Sequence, residues 1–202
     1  IEDFAISQPD LEPEVRTIGG AKPKGICGSG LLNIVAELLE ANVISRNGKF
    51  NTDLVSDRIR KGSDGCEYVL SWAIDNQTGR DIVITEVDID NLIRAKAAMY
   101  AGCQTLTGSV GITCADLQQI IIAGAFGSHL DIEKSITIGL LPDIPRDRFI
   151  FVGNGSLNGS RLVSYSTDLL DDARRVAMMM TSFELGESPD FMHHYVAALF
   201  LP

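Results

Sequence analysis

Three glycine-rich segments carry the residue types that let a main chain close on an anion. Gly25-Ile26-Cys27-Gly28-Ser29-Gly30 runs straight into an apolar helical pattern. Without a Cβ its glycines allow close backbone approach, and a helix start offers free N–H groups at the positive end of the dipole. The segment can therefore cradle a phosphate. Its outer glycine spacing matches a P-loop, but Leu31 and Leu32 stand where Lys and Ser/Thr are needed, so no side chain reaches terminal phosphates or magnesium. The same glycines equally serve as a tight turn before a helix. Ala123-Gly124-Ala125-Phe126-Gly127 follows an aliphatic run, at a strand's carboxyl end where open α/β sheets bind ligands; it also suits a closely packed strand-to-helix turn. Gly153-Asn154-Gly155-Ser156-Leu157-Asn158-Gly159 has the look of a dinucleotide fingerprint, but its third glycine comes one residue late and no acidic residue ends a second strand, which disfavours NAD.

Other chemistries find less support. Cys27, Cys66, Cys103 and Cys114 form no CxxC pair and no zinc or iron–sulfur spacing, so free thiols are expected and a metal is not. His129, His193 and His194 have no partners at metal-ligand spacing and read as loop and surface residues. No serine sits in a nucleophile elbow and no cysteine has an evident histidine partner. Lys96, on a helix of apolar and small residues, reads as a snorkelling surface lysine.

The elements that must position these segments follow from periodicity. Residues 1–24 are rich in Pro, Glu and Gly and read as an edge segment left from an upstream domain, with a short strand at Glu14–Ile18. Leu31, Leu32, Ile34, Val35, Leu38 and Leu39 give one apolar helical face ending near Asn42. Glu67–Ala73 and Asp81–Thr85 read as a hairpin across Asp75-Asn76-Gln77-Thr78-Gly79. Thr85 caps a helix through about residue 107, with Glu86 and Asp88 in its first turn and Ile89, Leu92, Ile93, Lys96, Ala97 and Tyr100 at helical spacing. Gln119–Ala123 reads as a strand buried on both faces, and Arg148–Val152 as a second strand leading to a helix from Leu157. Thr167 is expected to cap a helix to Met180, Phe183–Leu185 to add an edge strand, and the tail from Pro189 to Leu199 to dock on the body.

The chain has 202 residues, 45% apolar, with a formal charge of -10. That suits one well-buried core or two small lobes and disfavours tracking along nucleic acid, which needs clustered Lys and Arg. No apolar run approaches a membrane span and no signal-peptide order opens the chain, so a cytoplasmic location is expected. A start at Ile1 favours a piece of something longer.

Taken together, Pro23-Lys24-Gly25-Ile26-Cys27-Gly28-Ser29-Gly30-Leu31, Ile84-Thr85 with Asp88, and Arg94-Ala95-Lys96-Ala97-Ala98 resemble the C-terminal domain of reductive activators of corrinoid proteins. Ala123 to Gly127, Gly139-Leu140-Leu141-Pro142-Asp143-Ile144-Pro145 and Val152-Gly153-Asn154 continue the likeness in order along nearly the whole chain. The resemblance implies an α/β, ribonuclease-H-like lobe of the acetate kinase, sugar kinase, Hsp70 and actin superfamily, a mixed sheet flanked by helices, over residues 25–202. It implies ATP with Mg2+ against Gly28, Ser29, Gly30, Lys96, Gly124, Ala125, Phe126, Gly127 and Asn154. Catalytic residues, magnesium ligands and a [2Fe–2S] domain are expected upstream of this chain. The whole protein would return Co(II) corrinoid of a methyltransferase system to Co(I) by ATP-driven electron transfer, as a homodimer with its corrinoid protein as partner, and this piece alone would be inactive. A degenerate lobe for dimerisation or docking, and a small-molecule kinase or dehydratase-activator lobe, are the alternatives.

Overall fold

A computed structural model describes residues 1–7 and 10–202. Helix α1 (Gly28–Glu40) starts where Cys27 Sγ accepts from Gly30 N and buries Leu32, Ile34, Val35 and Leu38. It stops at Asn42, whose φ of 56° is left-handed, a conformation that Asn tolerates better than most residues. Helix α2 (Glu86–Ser109) begins with a reciprocal cap, in which Thr85 Oγ1 accepts from Asp88 N and Asp88 Oδ2 accepts from Thr85 N. Its inward face narrows to Ala97, Ala101 and Gly102, which lets helix α6 (Pro189–Ala197) lie close against it. The docked tail is thus found as expected.

The sheet is divided. Strands β1 (Asp3–Ser7) and β2 (Glu12–Arg16) form one antiparallel ladder; β3 (Ile59–Gly62), β4 (Gly65–Ser71) and β5 (Ile82–Thr85) form a second; β6 (Ile120–Ala123) and β7 (Phe149–Gly153) pair in parallel. The mixed α/β build expected from the resemblance is found, its antiparallel and parallel strands lying in three ladders among the described residues; β3 had no separate signal in its polar stretch. At the start of the chain Ile1, Phe4 and Leu11 are buried in the same core as α1, β4 and α2.

That core holds the two larger ladders and the long helices together. Tyr68 is wholly buried, meets Phe4 edge-on at 6.2 Å, and donates its hydroxyl to Leu11 O at 2.7 Å, so its one polar atom is satisfied. Arg58 ties β2 to β4 by reaching both oxygens of Glu12 and the carbonyl of Val69. The hydrogen bonds from Arg58 hold the Glu12 carboxyl below its ordinary pKa. Trp72 lies half-buried with the guanidinium carbons of Arg58 and Arg60 at 5.2 and 5.8 Å from its ring centre.

Helix α3 (Ile132–Thr137) is capped by Asp131 and joined to α1 through Lys134, which bonds Glu37 and reaches Glu40 at 3.0 Å. Helix α4 (Gly155–Tyr165) is capped by Asn154. Helix α5 (Thr167–Met179) is capped by Ser166, not Thr167: Ser166 holds the extended φ/ψ of -150° and 132° that a cap needs. Phe183–Leu185 is not a strand; a short 3-10 turn runs from Leu185 to Glu187.

Candidate nucleotide cleft

The start of α1 forms the floor of an open cleft of about 600 Å3. Two of its walls come from segments more than a hundred residues apart in the sequence. Glu2 and Asp3 at the head of β1 and Arg16 at the foot of β2 arrive together because the ladder registers Asp3 against Arg16. Phe126, Ser128, His129 and Asp131 arrive from the loop that leaves β6. Gly28 and Ser29 lie between them.

Each group is held in place. Asp3 Oδ1 accepts from Phe4 N at 3.0 Å and from Asn33 Nδ2 at 3.1 Å, while Oδ2 pairs with Arg16 at 3.1 Å. Arg16 also approaches Glu2 at 3.6 Å but remains 72% exposed, so its charge still faces solvent. Cys27 Sγ lies 3.4 Å from both Ser29 Oγ and Gly30 N. Burial alone would raise the Cys27 thiol; hydrogen bonds from Ser29 and Gly30 outweigh it, and the pKa falls below the ordinary value. Phe126 is 52% exposed and its ring rests on Gly28 so closely that a Cβ there would lie 2.7 Å from Cε2. Ser128 turns the loop back by donating N–H and Oγ to Gly124 O.

The structure thus brings Gly28, Ser29 and Phe126 together. The other sequence-derived candidates occupy different places. Gly30 is buried beneath Ile1, whose carbonyl oxygen would lie 2.3 Å from an added Cβ. Gly127 is packed on Ile122 behind Phe126. Gly124, at φ 102°, donates to Gly153 O at 2.7 Å, which puts Gly124, Ala125 and Asn154 at the joined carboxyl ends of β6 and β7. Asn154 spends its side chain on the N–H of Leu157.

Lys96 lies elsewhere and is not a surface lysine. It is 3% exposed, and its ammonium donates to Phe200 O beside the buried Leu201. Burial lowers its pKa to about 8. An unfolded lysine titrates near 10.4, so between about pH 8 and about 10.4 the unfolded chain holds a proton that the folded chain lacks. The unfolded state then binds more protons, and stability should rise with pH across that window; below it both states are protonated and the cost of burying the ammonium is constant. Lys96→Met should flatten the rise, measured as the urea midpoint on either side of the window.

Glu2, Asp3, Arg16, Asn33, His129 and Asp131 had no motif to announce them. Ser128, His129 and Asp131 at least continue the glycine-rich loop in sequence, which was a usable signal. The groups present suit a nucleotide: a half-exposed aromatic face for a base, and the first turn of α1 with Arg16 for phosphate. No three His, Cys, Asp or Glu side chains are grouped to hold a metal among the described residues, and the cysteines are separate and unpaired. The fit does not extend to an iron–sulfur cluster.

Among the described residues, an α/β body of two antiparallel ladders, a parallel pair and six α-helices, with a glycine-floored cleft, has the build of an ASKHA-type lobe. The chain belongs to the family described as the C-terminal domain of RACo, the ASKHA domain, which it matches over residues 1–202. A solved reductive activator for a corrinoid, iron–sulfur protein superimposes with a TM-score of 0.93 at 45% identity, covering 100% of this chain and 32% of that one. The corrinoid activation enzyme RamQ of Eubacterium limosum is 33% identical over 186 residues, 89% of this chain and 31% of its own length. A [Co(II) methylated amine-specific corrinoid protein] reductase of Methanosarcina barkeri is 26% identical over 192 residues, 94% and 31% respectively. The chain spans about a third of the length of these relatives. No helix among the described residues is long and apolar enough to cross a membrane.

Proposed function

We propose that this chain is the C-terminal, ATP-binding part of a reductive activator that returns Co(II) corrinoid proteins of methyltransferase systems to Co(I). The observation that carries the nucleotide reading is the meeting of Gly28 and Ser29 with Phe126 in one cleft, across nearly a hundred residues of sequence. In this reading Mg2+-ATP enters the cleft, its base against Phe126 and its phosphates toward the start of α1 and Arg16. Electrons come from an iron–sulfur domain outside this chain, and ATP supplies no electrons. Nucleotide binding favours one arrangement of the activator and its corrinoid partner by the difference in affinity between the two states. The active species is a homodimer, and catalytic residues lie outside this chain.

Calorimetric titration of the complete protein with Mg2+-ATP tests the reading. Phe126→Ala should weaken binding about tenfold, because stacking of a base on an aromatic ring contributes about 1–3 kcal/mol. As the ring is half in solvent, folding should be little affected. Absence of saturable binding in the unaltered protein defeats the nucleotide assignment.

A further inference from the structure

Ile18 stands in a place that costs an aliphatic side chain free energy. It is 72% exposed, it follows Arg16 by two residues, and it lines the cleft floored by α1. It belongs to the wall that carries Arg16, whereas Phe126 reaches the same cleft from the loop that leaves β6. Two open apolar side chains on different walls of one cleft are what a planar ring needs to be gripped on both faces.

The backbone that carries Ile18 is a strap fastened at its two ends. At the near end Glu2 N donates to Arg16 O at 2.9 Å, so the β1–β2 ladder holds the point where the strap begins. At the far end Gln77 N donates to Pro23 O at 2.9 Å, Gln77 Nε2 to Lys22 O at 3.0 Å and Lys22 Nζ to Ile74 O at 3.3 Å, which ties it to the turn before β5. Between these anchors, residues 17–21 have hydrogen bonds only with one another among the described residues: Gly20 N donates to Thr17 O at 3.0 Å, and Thr17 Oγ1 donates to Ala21 O. None of the five is buried. Gly19 and Gly20 hold φ of 73° and 68°, and a Cβ added at either would meet nothing within 4 Å. Close packing therefore does not require these glycines, and their use is conformational: the pair gives the strap dihedral freedom.

We propose that residues 17–21 close on the bound nucleotide and that Ile18 covers the face of its base that Phe126 leaves open. This rests on the nucleotide reading of the cleft. Contact with the base takes Ile18 out of water, which supplies the driving force for closure. Gly19 and Gly20 absorb the change in backbone dihedrals, while the anchors at Arg16 and at Lys22 and Pro23 stay in place. Because Arg16 is the near anchor and faces the phosphates in the same reading, one strap joins the two ends of the ligand.

Calorimetry and amide exchange on the complete protein test the closure. Ile18→Ser should weaken Mg2+-ATP binding about tenfold, as expected when an aliphatic side chain loses the burial it gains against a base, whereas Ile18→Leu should keep most of the affinity. The side chain is exposed, so both variants should fold as the unaltered protein does. In the unaltered protein, saturating Mg2+-ATP should slow amide exchange over residues 17–21 at least about tenfold, and Ile18→Ser should remove that slowing. Unchanged affinity in Ile18→Ser overturns the closure, and if Phe126→Ala still weakens binding the nucleotide reading stands. Exchange over the strap that is the same with and without ATP also overturns it; slow exchange in both would mean that another part of the polypeptide covers Ile18. No saturable binding by the unaltered protein defeats the closure and the nucleotide reading together.

Discussion

Leu38→Ala is expected to lower the unfolding free energy by about 3 kcal/mol, within the roughly 2–5 kcal/mol seen when a buried leucine is cut to alanine. Leu38 has no exposed surface, and it lies on the face of α1 that meets the main core. Its carbonyl also accepts from Val43 N at 2.8 Å and Ile44 N at 3.1 Å, which fixes the turn leaving the helix and resists collapse around the missing side chain. The vacated volume should therefore persist, and the cavity should hold the cost at the top of the transfer term of about 1.5–3 kcal/mol for a buried aliphatic side chain. Urea unfolding checks this as a lower midpoint at unchanged slope. Leu106→Ala, at a position 46% exposed, should cost far less.

Gly28→Val should weaken Mg2+-ATP binding to the complete protein about a hundredfold while leaving it folded. The added Cβ would lie 2.7 Å from Cε2 and 3.2 Å from Cδ2 of Phe126, so the ring must move. It can do so cheaply, because those atoms are the far end of a half-exposed side chain. The substitution therefore displaces the proposed base platform and crowds the first N–H groups of α1. Stacking accounts for about 1–3 kcal/mol and the helix end for about 0.3–1 kcal/mol, together about two decades of affinity. Because both effects act on the same wall, Gly28→Val combined with Phe126→Ala should lose less than the sum of the two, measured by calorimetry as a coupling energy.

The parts legible in the sequence were those fixed by neighbours along the chain. Helix α1 was legible from its leucine and isoleucine spacing, and α2 from the Thr85 and Asp88 pair that caps it. Strands β4 to β7 were each within a residue or two of their apolar runs. What escaped depended on distant partners. Arg16 enters the cleft only because β1 and β2 register Asp3 against it, and nothing local to Arg16 says so. Lys96 is instructive because part of its fate was visible: Ile89, Ile93 and Ala97 define the inward stripe of α2, and Lys96 stands on it. Its acceptor is Phe200, 104 residues away, so burial was readable but the partner was not. The aliphatic run of β6 announced a strand covered on both faces, whereas Ile121 is 63% exposed. The glycine motifs read in sequence both as ligand loops and as packing turns; of the candidates, Gly28, Ser29 and Phe126 share a cleft, whereas Gly30 and Gly127 serve close packing.

Trp72, the only tryptophan in the chain, lies against two guanidinium groups that belong to β3 and the turn before it. Its fluorescence is consequently a native reporter with a defined field of view. Emission should change when the three-stranded ladder comes apart and Arg58 and Arg60 leave the indole, so intrinsic fluorescence can follow the loss of the main core without any label. Helices α4 and α5 carry no tryptophan, and events confined to their surface should be dark to the same signal. A change seen by amide exchange at β6 but absent from the emission spectrum would therefore separate motion of the parallel pair from melting of the body.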